Sequence, residues 1–253
     1  MYSANTTERP SPPQTSNGSG LRAVGANARE TFRTLLRRGG AGLQMSPAAI
    51  DLIADHAQIT NWRAGQKIFA SADPSDFVYF LVAGAVRLDV TTPRRSLTAA
   101  FVPAGSFIGS VYPAVRGDFP FAAVAYVPSL IAVVSHETMR RALERLRPEA
   151  VYRLVANEVT WLQRLVAGKA RLLSSPLPDR LTAELSVLGR DFGRPVPDGV
   201  LIDLPLIHED LAQLVVASRA NVTRAMGVLR HTGRLGVVSR RIVLHPAPLV
   251  ADV

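Results

Sequence analysis

The sequence predicts an α+β chain in three parts: a small antiparallel β-barrel of jelly-roll type, a long helix, and a C-terminal helical domain closed by a β-hairpin. Three observations point there. Short β-rich runs punctuated by glycine fill residues 62–134, an apolar repeat of helical period fills 149–173, and two short helical patterns followed by alternating strands fill 207–245. Domains typically hold roughly 100–150 residues, so a chain of 253 residues has room for two cores, and its 47% hydrophobic against 19% charged residues supplies the apolar surface.

Residues 1–20 are rich in Ser, Thr, Asn, Pro and Gly and nearly lack large apolar side chains. Such a stretch cannot offset its own ordering entropy, and a disordered tail is expected. A helix is expected over Asn27–Arg38, ended by Gly39 and Gly40; its Arg29, Arg33, Arg37 and Arg38 read first as a solvated basic face and second as a DNA contact. Ser46 ahead of Pro47 signals an N-capped helix over Pro47–Ala57. Strands follow at Lys67–Phe69, Phe77–Val82, Ala85–Val90, Leu97–Val102, Ala122–Val127 and Leu130–Val134, with Gly65, Gly84, Gly105 and Gly109 at the turns.

Helical period then takes over. His136–Arg147 reads as one helix stopped by Pro148, and a longer one runs from about Glu149 to Leu173. Within it Val155, Val159, Leu162, Val166 and Leu173 recur at spacings of four, three, four and seven, with Lys169 in the slot that should be apolar. That seam suits a parallel coiled coil with a second copy and, equally, packing on its own domain. Pro176 and Pro178 break the helix; another is expected over Asp179–Phe192, then a Pro/Gly connector and a strand at Val200–Leu204. The expected division is therefore 1–45 (tail and short helix), 46–135 (barrel), 136–175 (dimerisation helix region) and 176–253 (C-terminal domain).

Several classes of function fall away. With no cysteine, disulfides, zinc–thiolate sites and cysteine-held iron–sulfur clusters are excluded. The N-terminus lacks a signal-type apolar segment, and the longest uncharged apolar run, Phe119–Ser135, is broken by Pro120 and Pro128. That is short of the ~20 residues a membrane helix needs, so a cytoplasmic protein without a membrane partner is expected. No nucleophile elbow, metal-binding histidine pair or phosphate loop with lysine is present, so neither an enzyme nor a metal site is expected. The net charge of +9 favours a polyanionic partner.

The segment from Ile207 to Gly233 carries the chemistry. A short helix over about His208–Val215 turns inward Leu211 and Leu214, with small Ala212 where a second helix crosses closely. Ser218 caps the next helix, on which Val222, Met226 and Leu229 form an apolar stripe, and Gly233 ends it. Such a pair is a helix-turn-helix. Its exposed face carries Arg219, Ala220, Asn221, Thr223 and Arg224. An arginine fork donates two hydrogen bonds to guanine O6 and N7, or to phosphate. Beyond it, Leu235–Ser239 and Ile242–His245 alternate as strands around Arg240 and Arg241, a wing with two cations expected at its tip. A plain helical hairpin with solvated arginines is the competing reading, which the wing and the basic balance disfavour.

These residues resemble the cyclic-AMP receptor and fumarate-nitrate regulator superfamily over about 46–250, most strongly along Leu206–Val243 and at the turn Pro103–Gly109. The resemblance implies a cyclic-nucleotide-binding-like jelly roll, a long dimerisation helix and a winged helix-turn-helix. It implies a parallel homodimer on a palindromic duplex site of about 20 base pairs, with an effector acting through the barrel. Duplex DNA and a second copy are the expected partners, with RNA polymerase and a small-molecule effector as further candidates.

Three departures modify that expectation. Cyclic-nucleotide-binding members of the family carry Glu after the Gly109 position and Arg about ten residues on; without that arginine a buried phosphate lacks its charge-assisted bonds. Here Ser110 takes the Glu place, Phe119–Ala123 covers the Arg place, and Arg116 is out of register. Cyclic AMP bound in the usual way is therefore not expected; Ser110, Tyr112, Phe119 and Phe121 are the candidate pocket residues, with core packing as the competing role for the aromatics. Haem is not expected either, because His56 and His136, the only histidines ahead of the C-terminal domain, read as surface residues. Finally, Ala220 replaces a frequent family Glu that accepts from cytosine N4, and Val216 stands where glycine usually makes the turn. Two readings follow. One is a dimeric regulator binding specific DNA, with a barrel that senses a non-nucleotide effector or none; the other is a ligand-binding regulatory module whose winged helix contacts protein.

Overall fold

The structure, a computed structural model, describes residues 26–38, 45–74, 76–92, 96–108 and 119–245. The expected tail, Gly109, Ser110, Tyr112 and Arg116 lie outside them. Contacts divide the chain into two compact units, Met1–Arg87 with Val102–Glu158, and Leu88–Phe101 with Val159–Val253. The α+β class and its three parts are those the sequence predicts.

The barrel is built from eight strands: β1 (Gln58–Trp62), β2 (Lys67–Phe69), β3 (Phe77–Ala83), β4 (Ala85–Thr91), β5 (Ser96–Pro103), β6 (Phe107–Ile108), β7 (Ala122–Ala125) and β8 (Ser129–Ser135). They form two four-stranded sheets, ordered β1-β8-β3-β6 and β2-β7-β4-β5. In the first sheet β8 is central, antiparallel to β1 from Gln58↔Val133 to Trp62↔Ser129 and to β3 from Phe77↔Ser135 onward. Strand β3 is buried almost throughout because both its faces are covered. Its Val78, Phe80 and Val82 join one core, while Tyr79 meets the rings of Phe69 and Phe119. Gly84 turns the chain from β3 into β4 at φ 96°, where an added Cβ would lie 2.4 Å from Ser129 Oγ, a space and a backbone that only glycine tolerates.

Three helices close the first face: α1 (Ala26–Arg37), α2 (Pro47–His56) and α3 (His136–Leu143). Ser46 caps α2, accepting from Ala49 N at 3.3 Å, and Ser135 caps α3, accepting from Thr138 N at 3.2 Å. Phe32 and Leu36 of α1 are fully buried with Ile53, Phe80, Val134 and Met139, and the Phe32 and Phe80 rings lie 5.1 Å apart. Burying such a ring stabilises by roughly 1.5–3 kcal/mol. Of the four arginines expected on a solvated face, Arg37 and Arg38 are exposed, while Arg29 and Arg33 are partly buried and engaged. Arg33 pairs with Asp55 at 2.5 Å, Asp51 at 3.4 Å and Glu30 at 3.7 Å, Arg37 with Glu30 at 3.1 Å, and Arg29 donates to the Ala54 carbonyl.

Helix α3 stops at Leu143, short of the expected Arg147, because Pro148 restricts Arg147 and opens the next helix itself. That helix, α4, runs Pro148–Ser174 as one element of 27 residues. After Pro176, α5 (Leu177–Phe192) starts two residues earlier than expected, since Pro178 fits a first helical turn. The C-terminal domain adds β9 (Gly193–Val196), β10 (Gly199–Ile202), α6 (His208–Leu214), α7 (Arg219–His231), β11 (Leu235–Val238) and β12 (Arg241–Leu244), with its sheet ordered β11-β12-β10-β9. Among the described residues no helix is long and apolar enough to cross a membrane.

Candidate nucleic-acid interface and effector pocket

The two short helices are locked by local hydrogen bonds before any tertiary contact counts. Asp210, buried in the first turn of α6, accepts from Ile207 N at 3.0 Å through Oδ2. Between the helices Val215 N donates to Leu211 O and Ala217 N to Ala212 O, both at 2.9 Å, and Val216 takes φ 53°. The turn therefore keeps a left-handed backbone although valine stands where glycine would relieve it, at a cost of about 1–2 kcal/mol. Ser218 caps α7, accepting from Asn221 N at 3.2 Å. Gly233 ends it at φ 68°, where Arg234 N returns to Leu229 O at 2.9 Å.

Burial separates the two faces of α7. Val222, Ala225, Met226 and Leu229 are buried, and Arg219, Ala220, Asn221, Thr223 and Arg224 are exposed. Helix α7 contains no acidic residue, and no ion pair involves Arg219 or Arg240 among the described residues. Arg224 donates to Asn221 Oδ1, which leaves the Asn221 amide nitrogen as a donor. The Thr223 hydroxyl donates to Arg219 O at 2.9 Å and also meets His208 Nδ1 at 2.8 Å. His208 was not among the expected site residues; its place as the first residue of α6 was the available signal.

The wing differs from its expected form in one respect. Ser239 and Arg240 make the turn, at φ 48° and 62°, but Arg241 is already in the ladder opposite Val238. Its Nε lies 3.4 Å from Asp203 Oδ1. One cation, Arg240, stands in the turn, and the second, in the ladder pair next to it, is held by a carboxylate.

In the barrel, the segment that covers the arginine place is aromatic and packed. Phe119 is buried and stacks on Phe69 with centroids 3.7 Å apart and planes at 15°; Phe121 lies 6.0 Å from Phe69, and Tyr79 lies 6.2 Å from Phe119. Phe119 N donates to Asp73 O at 3.1 Å, and Ala72 N donates to Phe119 O at 2.9 Å, which straps the segment to the β2–β3 loop. Burial, with Asp73 and Asp76 nearby, pushes the Tyr79 phenol up to about 12. Phe119 thus contributes to packing. Among the described residues no cluster of His, Asp or Glu is arranged to hold a metal ion.

The seam residues of α4 whose side chains are described are exposed. Val155, Val159 and Val166 are 50%, 48% and 61% exposed, joined by Tyr152 at 79%. Leu162 and Leu173 lie on the same helix, and their side chains are outside the described set.

Comparison with known proteins fits this geometry. Residues 59–146 match the family described as Cyclic nucleotide-binding domain, and residues 179–250 match the Crp-like helix-turn-helix domain. The chain is 34% identical over 196 residues to a global nitrogen regulator of Synechococcus elongatus, covering 76% of this chain and 88% of that protein. It is 24% identical to a CRP-like cAMP-activated global transcriptional regulator of Mycobacterium tuberculosis, covering 86% and 97%. Among solved structures, the c-di-GMP responsive regulator CLP of Xanthomonas campestris superposes with TM-score 0.66 at 20% identity, over 79% of this chain and all of that one. FixK2 of Bradyrhizobium japonicum gives TM-score 0.66 at 22% identity, over 76% and 93%. Barrel, long helix and winged helix follow one another here as in those relatives, and the chain belongs to the cyclic-AMP receptor and fumarate-nitrate regulator superfamily of transcription regulators.

Proposed function

We propose that this regulator binds a palindromic duplex site as a homodimer, reading bases with α7 and touching phosphate with the wing. The observation that carries the reading is the acid-free exposed face of α7, with Arg219 unpaired at its capped start and Arg240 at the wing tip. Arg219 is assigned to a guanine edge and Ala220 to a thymine methyl. Asn221 and Arg224 contribute further donors, Ser218 fixes the helix start, and Arg240 and Arg241 serve the backbone. The exposed valines of α4 support dimerisation: an apolar stripe of that size on one helix finds its cover in the same stripe of a second copy.

One relative is named as cAMP-activated and one structural neighbour as c-di-GMP responsive. In this chain the aromatic stack at Phe119 supports a different reading, in which the barrel answers a non-nucleotide effector or none. Selection from a random duplex pool, with full-length protein and no added ligand, tests the whole reading. A two-fold-symmetric motif with half-sites about 10 base pairs apart is the expected result. Binding to duplex that ignores salt, or a protein partner in place of DNA, would overturn it, because phosphate contacts lose affinity steeply as salt rises.

A further inference from the structure

We propose that His208 is a proton-dependent phosphate contact of the DNA-binding surface, so that operator affinity rises as pH falls. The inference rests on the reading of α7 as the DNA-facing helix, and it follows from counting protons. A threonine hydroxyl has a single hydrogen. In Thr223 that hydrogen goes to Arg219 O at 2.9 Å, so the oxygen meets His208 Nδ1, 2.8 Å away, as an acceptor. Keeping both bonds assigns the proton to Nδ1, since the other neutral tautomer would cost Thr223 its bond to Arg219 O.

The consequence lies at the other ring nitrogen. In a neutral imidazole with Nδ1 protonated, Nε2 carries only a lone pair, and it repels a phosphate oxygen, which also only accepts. The imidazolium presents an Nε2–H and a positive charge. Nδ1 keeps its bond to Thr223 in both states, so the ring need not turn when it gains the proton. Contact with phosphate accordingly takes up from solvent the share of a proton that the free imidazole lacks at that pH, at most one per protomer engaged.

The surroundings favour this role for His208. The Ile207–Asp210 bond fixes the first turn of α6, which sets where the imidazole lies. The charged groups at this end are Glu209 and Asp210 on α6, and Arg219 and Arg224 on α7, the helix packed against it. Asp210 is buried and accepts from Ile207 N, and Arg224 donates to Asn221. Glu209 follows His208 in the chain and is exposed. Phosphate is the partner that arrives only on binding. The other histidines of the C-terminal domain, His231 and His245, are unchanged in a His208 variant and cancel in the comparison.

The test uses the full chain and a duplex carrying the selected motif. Its dissociation constant is followed from about pH 8 to pH 6, where imidazoles gain charge, at constant ionic strength. The wild type should tighten about three- to tenfold per engaged half-site beyond the change seen for His208→Gln, whose amide donates equally at all these pH values. Proton uptake measured calorimetrically on the wild type, in buffers of different ionisation enthalpy, needs no variant and should give a fraction of a proton per protomer. Parallel pH profiles for the two proteins, or no proton uptake while the duplex is bound normally, would overturn the role of His208 and leave the DNA reading standing. Absence of duplex binding at every pH would overturn both.

Discussion

Helices α1 and α7 have nearly the same length, 12 and 13 residues, and each carries three arginines. In α1 the neighbouring helix α2 supplies Asp51, Asp55 and the Ala54 carbonyl, and Glu30 sits one turn from Arg33. Its apolar face, with Phe32 and Leu36, enters the core of the first unit. In α7 the apolar face is buried just as well, yet its polar face meets no carboxylate among the described residues. The difference shows that arginine content does not make a DNA-facing helix. What decides is whether the neighbouring element neutralises the arginines: α2 compensates those of α1, while those of α7, the helix we propose to face DNA, meet no carboxylate among the described residues.

The comparison breaks most visibly at Phe32. Phe32→Ala should cost about 3–5 kcal/mol of stability by leaving a cavity against Phe80, and chemical denaturation should report it. DNA affinity of the remaining folded protein should stay within twofold; a selective loss of binding would mean that α1 also serves the DNA surface. Arg219→Ala is the opposite case. It should leave the melting temperature unchanged and lower specific affinity by about 1–3 kcal/mol, relaxing base preference at one position of each half-site. Unchanged affinity and selectivity in a binding titration would remove Arg219 from the interface.

Smaller effects sharpen the contrast. Val216→Gly relieves the left-handed turn ahead of α7 and should stabilise the C-terminal domain by about 1 kcal/mol, read as a higher denaturation midpoint. A lower midpoint would show that packing of the valine side chain outweighs the backbone strain. Arg33→Ala removes partly exposed ion pairs and should cost at most about 1 kcal/mol, with no change in the salt dependence of DNA binding. A shallower salt slope would place Arg33 on phosphate instead.

What was legible in the sequence follows the range of the forces involved. The helix α7 could be read closely because its signals are local: the Ser218 cap, the stripe Val222–Met226–Leu229 and the terminating Gly233 all act within the helix. The order of barrel, long helix and winged helix was legible for the same reason. Strand β1 was missed because Gln58, Thr60 and Asn61 interrupt its apolar residues; its strand state comes from pairing with β8, 71 residues away from Thr60 at Ile131. Strand β9 hides behind Gly193 and Pro195, residues that a sheet tolerates at its edge. The partners of the α1 arginines were equally invisible, since Asp51 and Asp55 reach Arg33 across a tertiary contact. At the candidate sites, chemistry on one helix was readable, whereas the cross-helix bond from His208 to Thr223 and the stack of Phe119 on Phe69 needed coordinates.

The docking of α1 also bears on where this chain tolerates being cut. The family match to the barrel begins at residue 59, beyond both α1 and α2. A fragment trimmed to that boundary would discard Phe32, Leu36, Ile50 and Ile53 together, four side chains that cover one face of β3 and β8. Val78, Phe80 and Val134 would then open to water as a continuous sticky patch. Recombinant pieces of this protein should accordingly begin ahead of Ala26, and an insoluble shorter fragment would reflect the missing helices rather than an unstable barrel.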